Sequence, residues 1–168
     1  SPYIERAKAR CAKIKYVLET HFHADFVSGH LDLSKKTGAP IIFGPNANPD
    51  FDAHIATDGE ELKLGKVTIR VLHTPGHTPG SQCFLLDGRL VAGDTLFLDG
   101  CGRTDFPGGD VDEMFRSLQQ LSRLSGDPTV FPGHWYSTEP SAGLEDVKRN
   151  NYVYRASNLE QRRALMGA

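Results

Sequence analysis

Thr20-His21-Phe22-His23-Ala24-Asp25-Phe26 follows directly on the β-rich run Ile14-Lys15-Tyr16-Val17-Leu18. Side chains alternate along extended chain, so His21 and His23 are expected to point the same way, with Asp25 continuing the row and three donors converging. Imidazoles and carboxylates are good ligands for divalent first-row metals. Three more polar clusters fall where strands are expected to end. The first, His73-Thr74-Pro75-Gly76-His77-Thr78-Pro79-Gly80, is a rigid double turn that presents His77; Gly93-Asp94-Thr95 sets a carboxylate, and Pro132-Gly133-His134 a further histidine. One histidine beside a turn, or one aspartate at a strand end, is ordinarily a satisfied polar residue or a cap. An HxHxD cluster joined by three separately framed donors is not explained by caps, and points to a metal site.

Around these clusters the periodicity alternates between helix and strand. Tyr3 to Ala12 reads as a helix, followed by the strand that ends at Leu18. A second helix is expected from Ser28 as N-cap to Gly38 as C-cap, then a short buried strand at Ile41 to Phe43. Residues 44–61 read as a long surface loop. Leu62, Leu64, Val67, Ile69 and Val71 alternate around Gly65 as a hairpin, and strands follow at Cys83 to Leu86 and Leu90 to Ala92, hinged by Asp87 and Gly88. Asp110 with Glu113 forms a capping box before the stripe Met114, Phe115, Leu118, Leu121 and Leu124, which Gly126 closes. Thr129 to Phe131 is a last strand, and the tail from Ser141 reads as one or two surface helices.

The composition narrows the class. A chain of 168 residues is the size of one domain, taken here as 1–168, and 39% apolar with 24% charged residues is ordinary for a soluble globular protein. A net charge of -2 gives no basic footprint for a nucleic-acid backbone, and no apolar run approaches the roughly 20 residues of a bilayer crossing. Neither nucleic acid nor a membrane is therefore an expected partner. Cys11, Cys83 and Cys101 lack CxxC spacing, so neither a disulfide framework nor a cysteine zinc site is indicated and a reducing cytoplasm fits. The start at Ser1 shows no apolar signal region and no initiator methionine, which reads as a fragment or a processed chain.

In this order along the chain, THFHAD, TPGHTPG, the Gly93-Asp94 pair and the Pro132-Gly133-His134 turn resemble the metallo-β-lactamase superfamily. That resemblance implies an α/β fold, an αββα four-layer sandwich with metal at the lip between two sheets. The family normally begins with strands ahead of the Tyr3 helix, so part of the first sheet is expected to be missing. Its two-metal hydrolases usually read HxHxDH, where this chain has Phe26. A phenyl ring donates no lone pair, which leaves a second site only Asp25, His134 and a shared Asp94, and favours one metal. The stretch Gly100-Cys101-Gly102-Arg103-Thr104-Asp105-Phe106 is similar to that of the persulfide dioxygenases of the superfamily.

The persulfide dioxygenase resemblance implies one Fe(II) per chain held by His21, His77 and Asp94, which leaves open positions for a substrate sulfur and O2. The implied substrates are glutathione persulfide, or a similar small thiol persulfide, and O2, with sulfite as product. His23, Asp25 and His134 would orient ligands or water, or serve as alternative metal ligands. Tyr136 matches a family tyrosine near the metal, so Tyr136 and Asp25 are the catalytic candidates, against a half-buried structural role for Tyr136. Arg103, with Thr104, is a candidate substrate contact; Arg103 equally well holds its own loop through Asp105 or Asp99. Cys101 reads as loop packing, His73 as a turn residue, and His30 and His54 as surface residues. The resemblance weakens from His134 to Ser141 and at Asn150-Asn151-Tyr152, where substrate contacts usually lie.

The rival function is a zinc hydrolase resembling glyoxalase II, in which His21, His23 and His77 hold Zn(II) and Asp94 helps hold a hydroxide nucleophile. A third reading is an interaction module that binds metal weakly. A homo-oligomer and a fused or partner sulfurtransferase are further expectations from the family.

Overall fold

The computed structural model describes residues 1–166. Its smaller sheet has three parallel strands in the order β1 (Val17–Leu18), β2 (Ile41–Phe43) and β3 (His54–Ile55). The larger has six, side by side in chain order: β4 (Glu61–Leu64), β5 (Val67–His73), β6 (Gln82–Leu86), β7 (Arg89–Gly93), β8 (Thr129–Pro132) and β9 (Ala142–Gly143). All neighbours in it are antiparallel except β7 and β8, which are parallel and joined by the long crossover that contains helix α3 (Val111–Ser122). The remaining helices are α1 (Pro2–Ala9), α2 (His30–Thr37), α4 (Leu144–Asn150) and α5 (Leu159–Met166), with a 3₁₀ turn at Tyr152–Tyr154.

Three apolar clusters separate four layers. Ile42, Ala56, Leu62, Ile69, Val71 and Phe84 are buried between the two sheets. Val17, Ala39, Ile41 and Phe43 pack with Leu33 of α2 on the outer face of the small sheet. On the outer face of the large sheet, Met114, Leu118 and Leu121 of α3 meet Leu90, Ala92 and Val130, together with Leu144 and Val147 of α4 and Val153. The architecture is an αββα sandwich, as the sequence motifs imply.

Local chemistry sets the element ends. Helix α2 stops where Gly38 adopts φ 72° and returns its N–H to the Ser34 carbonyl. The β6–β7 hairpin turns through Asp87 and Gly88, both at positive φ, as a two-residue loop of this kind requires. The Asp110 carboxylate caps α3 by accepting from the N–H groups of Asp112 and Glu113. The return half of the expected box is absent: Glu113 pairs with Arg116, and the Asp110 N–H goes to the Gly76 carbonyl at 2.8 Å. Ser28 is not the cap of α2. Gly29 precedes the helix, and the Ser28 hydroxyl donates to Glu19 Oε1 at 2.6 Å. The expected loop at 44–61 contains the short strand β3, and α4 is a surface helix that buries Leu144 and Val147 on one face and exposes Glu145, Asp146 and Arg149 on the other.

The topology gathers the four polar clusters. Strands β5 and β7 are each antiparallel to β6, and β8 is parallel to β7, so β5, β7 and β8 all finish at one edge of the large sheet. Gln82 begins β6 at that edge, and its backbone N–H donates to the Thr20 carbonyl while its side-chain amide donates to the Glu19 carbonyl, both at 2.8 Å. This joint ties the loop after β1 to the lip of the large sheet.

Candidate metal centre

His21, on the loop after β1, is 2% exposed and has its Nδ1 2.9 Å from the Thr20 hydroxyl. His77, on the double turn after β5, has its Nδ1 2.9 Å from the Arg103 carbonyl, which only accepts. The His77 proton therefore sits on Nδ1 and leaves the Nε2 lone pair free. Asp94, one residue past β7, receives both rings: its Oδ2 lies 3.9 Å from His21 Nε2 and 3.6 Å from His77 Nε2. One donor atom from each of the three residues lies within 4.8 Å of the others.

These distances are too long for hydrogen bonds, and Asp94 Oδ1 is buried without a hydrogen-bond partner. A buried carboxylate left so would be costly, whereas a shared cation satisfies it and the two imidazoles together. Metal bonds near 2.1 Å place ligand atoms on one ion about 3.0–3.5 Å apart, so a small inward movement closes the set. The donors fit a divalent transition metal, and two imidazoles with one carboxylate suit iron and zinc alike.

His134 and Asp25 flank the same carboxylate. His134 Nε2 lies 3.3 Å from Asp94 Oδ2 and 3.4 Å from Asp25 Oδ2. His23 behaves differently from the row expected in the sequence. Its ring lies 4.2 Å from that of His21, but its Nε2 is turned toward Glu19 Oε2 at 3.6 Å, and its Nδ1 is buried without a hydrogen-bond partner. The chain is no longer a strand after Leu18, so alternation does not apply. The buried Glu19 also accepts from Ser28 and lies 3.1 Å from His30 Nδ1, which makes His30 part of the site's support and not a surface residue. Neither Glu19 nor His30 carries a motif that singles it out in the sequence.

Phe26 lays its ring 4.2 Å from that of His23 and is 54% exposed. Tyr136 stacks on His134 at 5.0 Å with the rings nearly parallel, edge-on to Phe97. At 67% exposure it is not the half-buried structural tyrosine that the sequence allows. Arg103 forms a two-point ion pair with Asp105, the loop-holding arrangement, and Thr104 is half-buried beside it. His73 holds the double turn through Pro79 O at 3.0 Å, and burial pushes the Cys83 thiol up to about 11, so it is inert.

Burial, reinforced by the nearby His23 and His77, lowers the His21 pKa from 6.5 to about 3 and keeps it neutral as a ligand must be. Burial pushes the Asp94 carboxyl up, against the pull of His134 and His77. Below pH 6.5 the unfolded chain holds a proton at His21 that the folded metal-free protein refuses. Stability of that form should then fall with falling pH by up to about 1.4 kcal/mol per unit. Asp94 has the opposite sign and flattens the loss closer to the carboxylate range. Urea midpoints of the metal-free protein from pH 7.5 to 5 should drop; a flat profile would contradict a neutral, buried His21.

The metallo-beta-lactamase superfamily model matches residues 4–134, and the chain belongs to that superfamily. Among its relatives, the hydroxyacylglutathione hydrolase of Methylococcus capsulatus is 38% identical over 92% of this chain and 61% of its own length. That of Brucella anthropi is 42% identical over 94% of this chain and 62% of its own length. The chain thus spans under two thirds of these proteins. The structure of ETHE1 from Myxococcus xanthus superposes with a TM-score of 0.87 at 28% identity, covering 99% of this chain and 74% of that one. No helix among the described residues is long and apolar enough to cross a membrane.

Proposed function

We propose that the chain is a mononuclear iron(II) sulfur dioxygenase that oxidises glutathione persulfide, or a similar small persulfide, to sulfite. The observation that carries this is the gathering of His21, His77 and Asp94 as one donor set, with Phe26 in place of the histidine that two-metal relatives hold after the HxHxD aspartate. The GCGRTDF stretch and the ETHE1 match support the same branch. The overall change is RSSH + O2 + H2O to RSH + sulfite + 2 H⁺, in which the outer sulfur loses four electrons and O2 gains them.

Iron(II), when bound, supplies the redox chemistry toward O2 that zinc lacks. His21 and His77 would hold it through Nε2 together with the Asp94 carboxylate, whose charge would offset part of the ion's. His134 and Asp25, 3.4 Å apart beside Asp94, are placed to take up the protons released as water is consumed. Tyr136 fixes the His134 ring by stacking and presents its phenol at the open rim. Arg103 reaches a substrate carboxylate by exchanging it for Asp105, with Thr104 alongside. The proposed setting is a reducing cytoplasm, with a sulfurtransferase supplying the persulfide and a homo-oligomer as the working form.

The names of the relatives at 38% and 42% identity favour a second reading, zinc-dependent thioester hydrolysis by His21, His23 and His77. The donor set that converges, His21 and His77 with Asp94 and without His23, favours the first reading. An oxygen electrode separates the two. Iron-loaded protein should consume one O2 per persulfide and per sulfite formed. No uptake, together with turnover of S-lactoylglutathione, would overturn the dioxygenase. Phe26→His should raise retained metal from one ion per chain toward two, and an unchanged single ion would show that Phe26 does not set the count.

A further inference from the structure

We infer that Asn151, in the C-terminal segment, is a positioning residue for the metal centre.

 Asn151 lies 51 residues from Gly100 in the sequence, and its side chain meets that residue in the fold. The inference rests on the proposed metal-centre reading and extends it to a residue outside the donor set.

Asn151 is 1% exposed, follows α4 and opens the 3₁₀ turn, and its side chain makes four hydrogen bonds. Oδ1 accepts from the Gly100 N–H at 2.8 Å and the Val153 N–H at 3.1 Å. Nδ2 donates to the Phe97 carbonyl at 3.0 Å and the Gly100 carbonyl at 2.9 Å. The amide is thereby fully used, and three of its four bonds hold the tight turn in which the Phe97 N–H also donates to Gly100 O.

That turn is the apex of a loop with a metal-centre residue at each end. It leaves from Asp94 and returns when the Gly102 N–H donates to the Asp94 carbonyl at 2.8 Å. The next residue, Arg103, offers the carbonyl that takes the His77 Nδ1 proton. Loosening the apex therefore loosens both the placement of Asp94 and the tautomer and direction of His77. An outer partner that orients a ligand is worth roughly 10–100-fold in metal affinity, and one step further out the expected effect is about tenfold.

The test is Co(II) binding to the full chain, read by chelator competition and by the visible d–d spectrum, in wild type, Asn151→Ala, Asn151→Asp and Leu62→Ala. Leu62 is buried between the sheets and serves as a destabilised control. Asn151→Ala should weaken Co(II) about tenfold and alter its spectrum. Asn151→Asp keeps the two accepted bonds but turns a carboxylate oxygen onto the Phe97 and Gly100 carbonyls, and should weaken Co(II) at least as much as Asn151→Ala. Leu62→Ala should lower the melting temperature with an unchanged spectrum. Wild-type affinity and spectrum in Asn151→Ala would overturn the inference. Should that variant not fold, hydrogen exchange on wild type decides: added Co(II) should slow exchange of the Gly100 and Val153 amides, and unchanged rates would overturn it. Wild type that binds no Co(II) would instead refute the metal-centre reading itself.

Discussion

His77→Ala should fold and retain no metal. The His77 ring contributes one of three converging donor atoms, with its Nε2 3.6 Å from Asp94 Oδ2, and it lies on a turn held independently by His73 and the Ser81 hydroxyl. Removing it frees only the Arg103 carbonyl, so the fold should lose little. The metal loses a ligand outright, which should weaken it by more than the roughly 10–100-fold that an outer partner costs. Elemental analysis after anaerobic gel filtration should find about one iron per wild-type chain and almost none in the variant, while His134→Ala should keep its iron and lose turnover. Equal iron in His77→Ala and wild type would remove His77 from the donor set.

Gly102→Ala should damage the site through a residue that binds nothing itself. A β-carbon there would run into the Asp94 carbonyl oxygen and lie 2.9 Å from His77 Nδ1. The loop must back away from one or both, and the Arg103 carbonyl that orients His77 moves with it. Metal affinity should fall by about 10–100-fold, with the overall circular dichroism spectrum unchanged. Affinity equal to wild type would show that the GCGRTDF loop does not set the His77 ring.

Much of this arrangement is legible in the chain because the polar clusters are short, framed by Pro and Gly, and follow apolar runs whose alternation marks strands. Those features locate His77, Asp94 and His134 at strand ends, and the topology then brings the ends to one edge. The errors have a common origin in tertiary partners. Ser28 has every property of a cap, yet the buried Glu19 takes its hydroxyl. His23 follows the pattern of a ligand row, and the same carboxylate faces its Nε2. Strand β3 is two residues long and gains its identity only from pairing with β2, which no local pattern shows. Asn151 is a single amide whose four partners lie up to 54 residues away, so its part in the site is invisible until the chain is folded.

The account depends on a single ion held by His21, His77 and Asp94. X-ray absorption at the iron edge of the anaerobically reconstituted protein tests this directly. The expected result is a shell of nitrogen and oxygen atoms with imidazole scattering from two histidines and no metal–metal vector. A metal–metal distance of about 3.5–4 Å, the signature of a two-metal site, would contradict it.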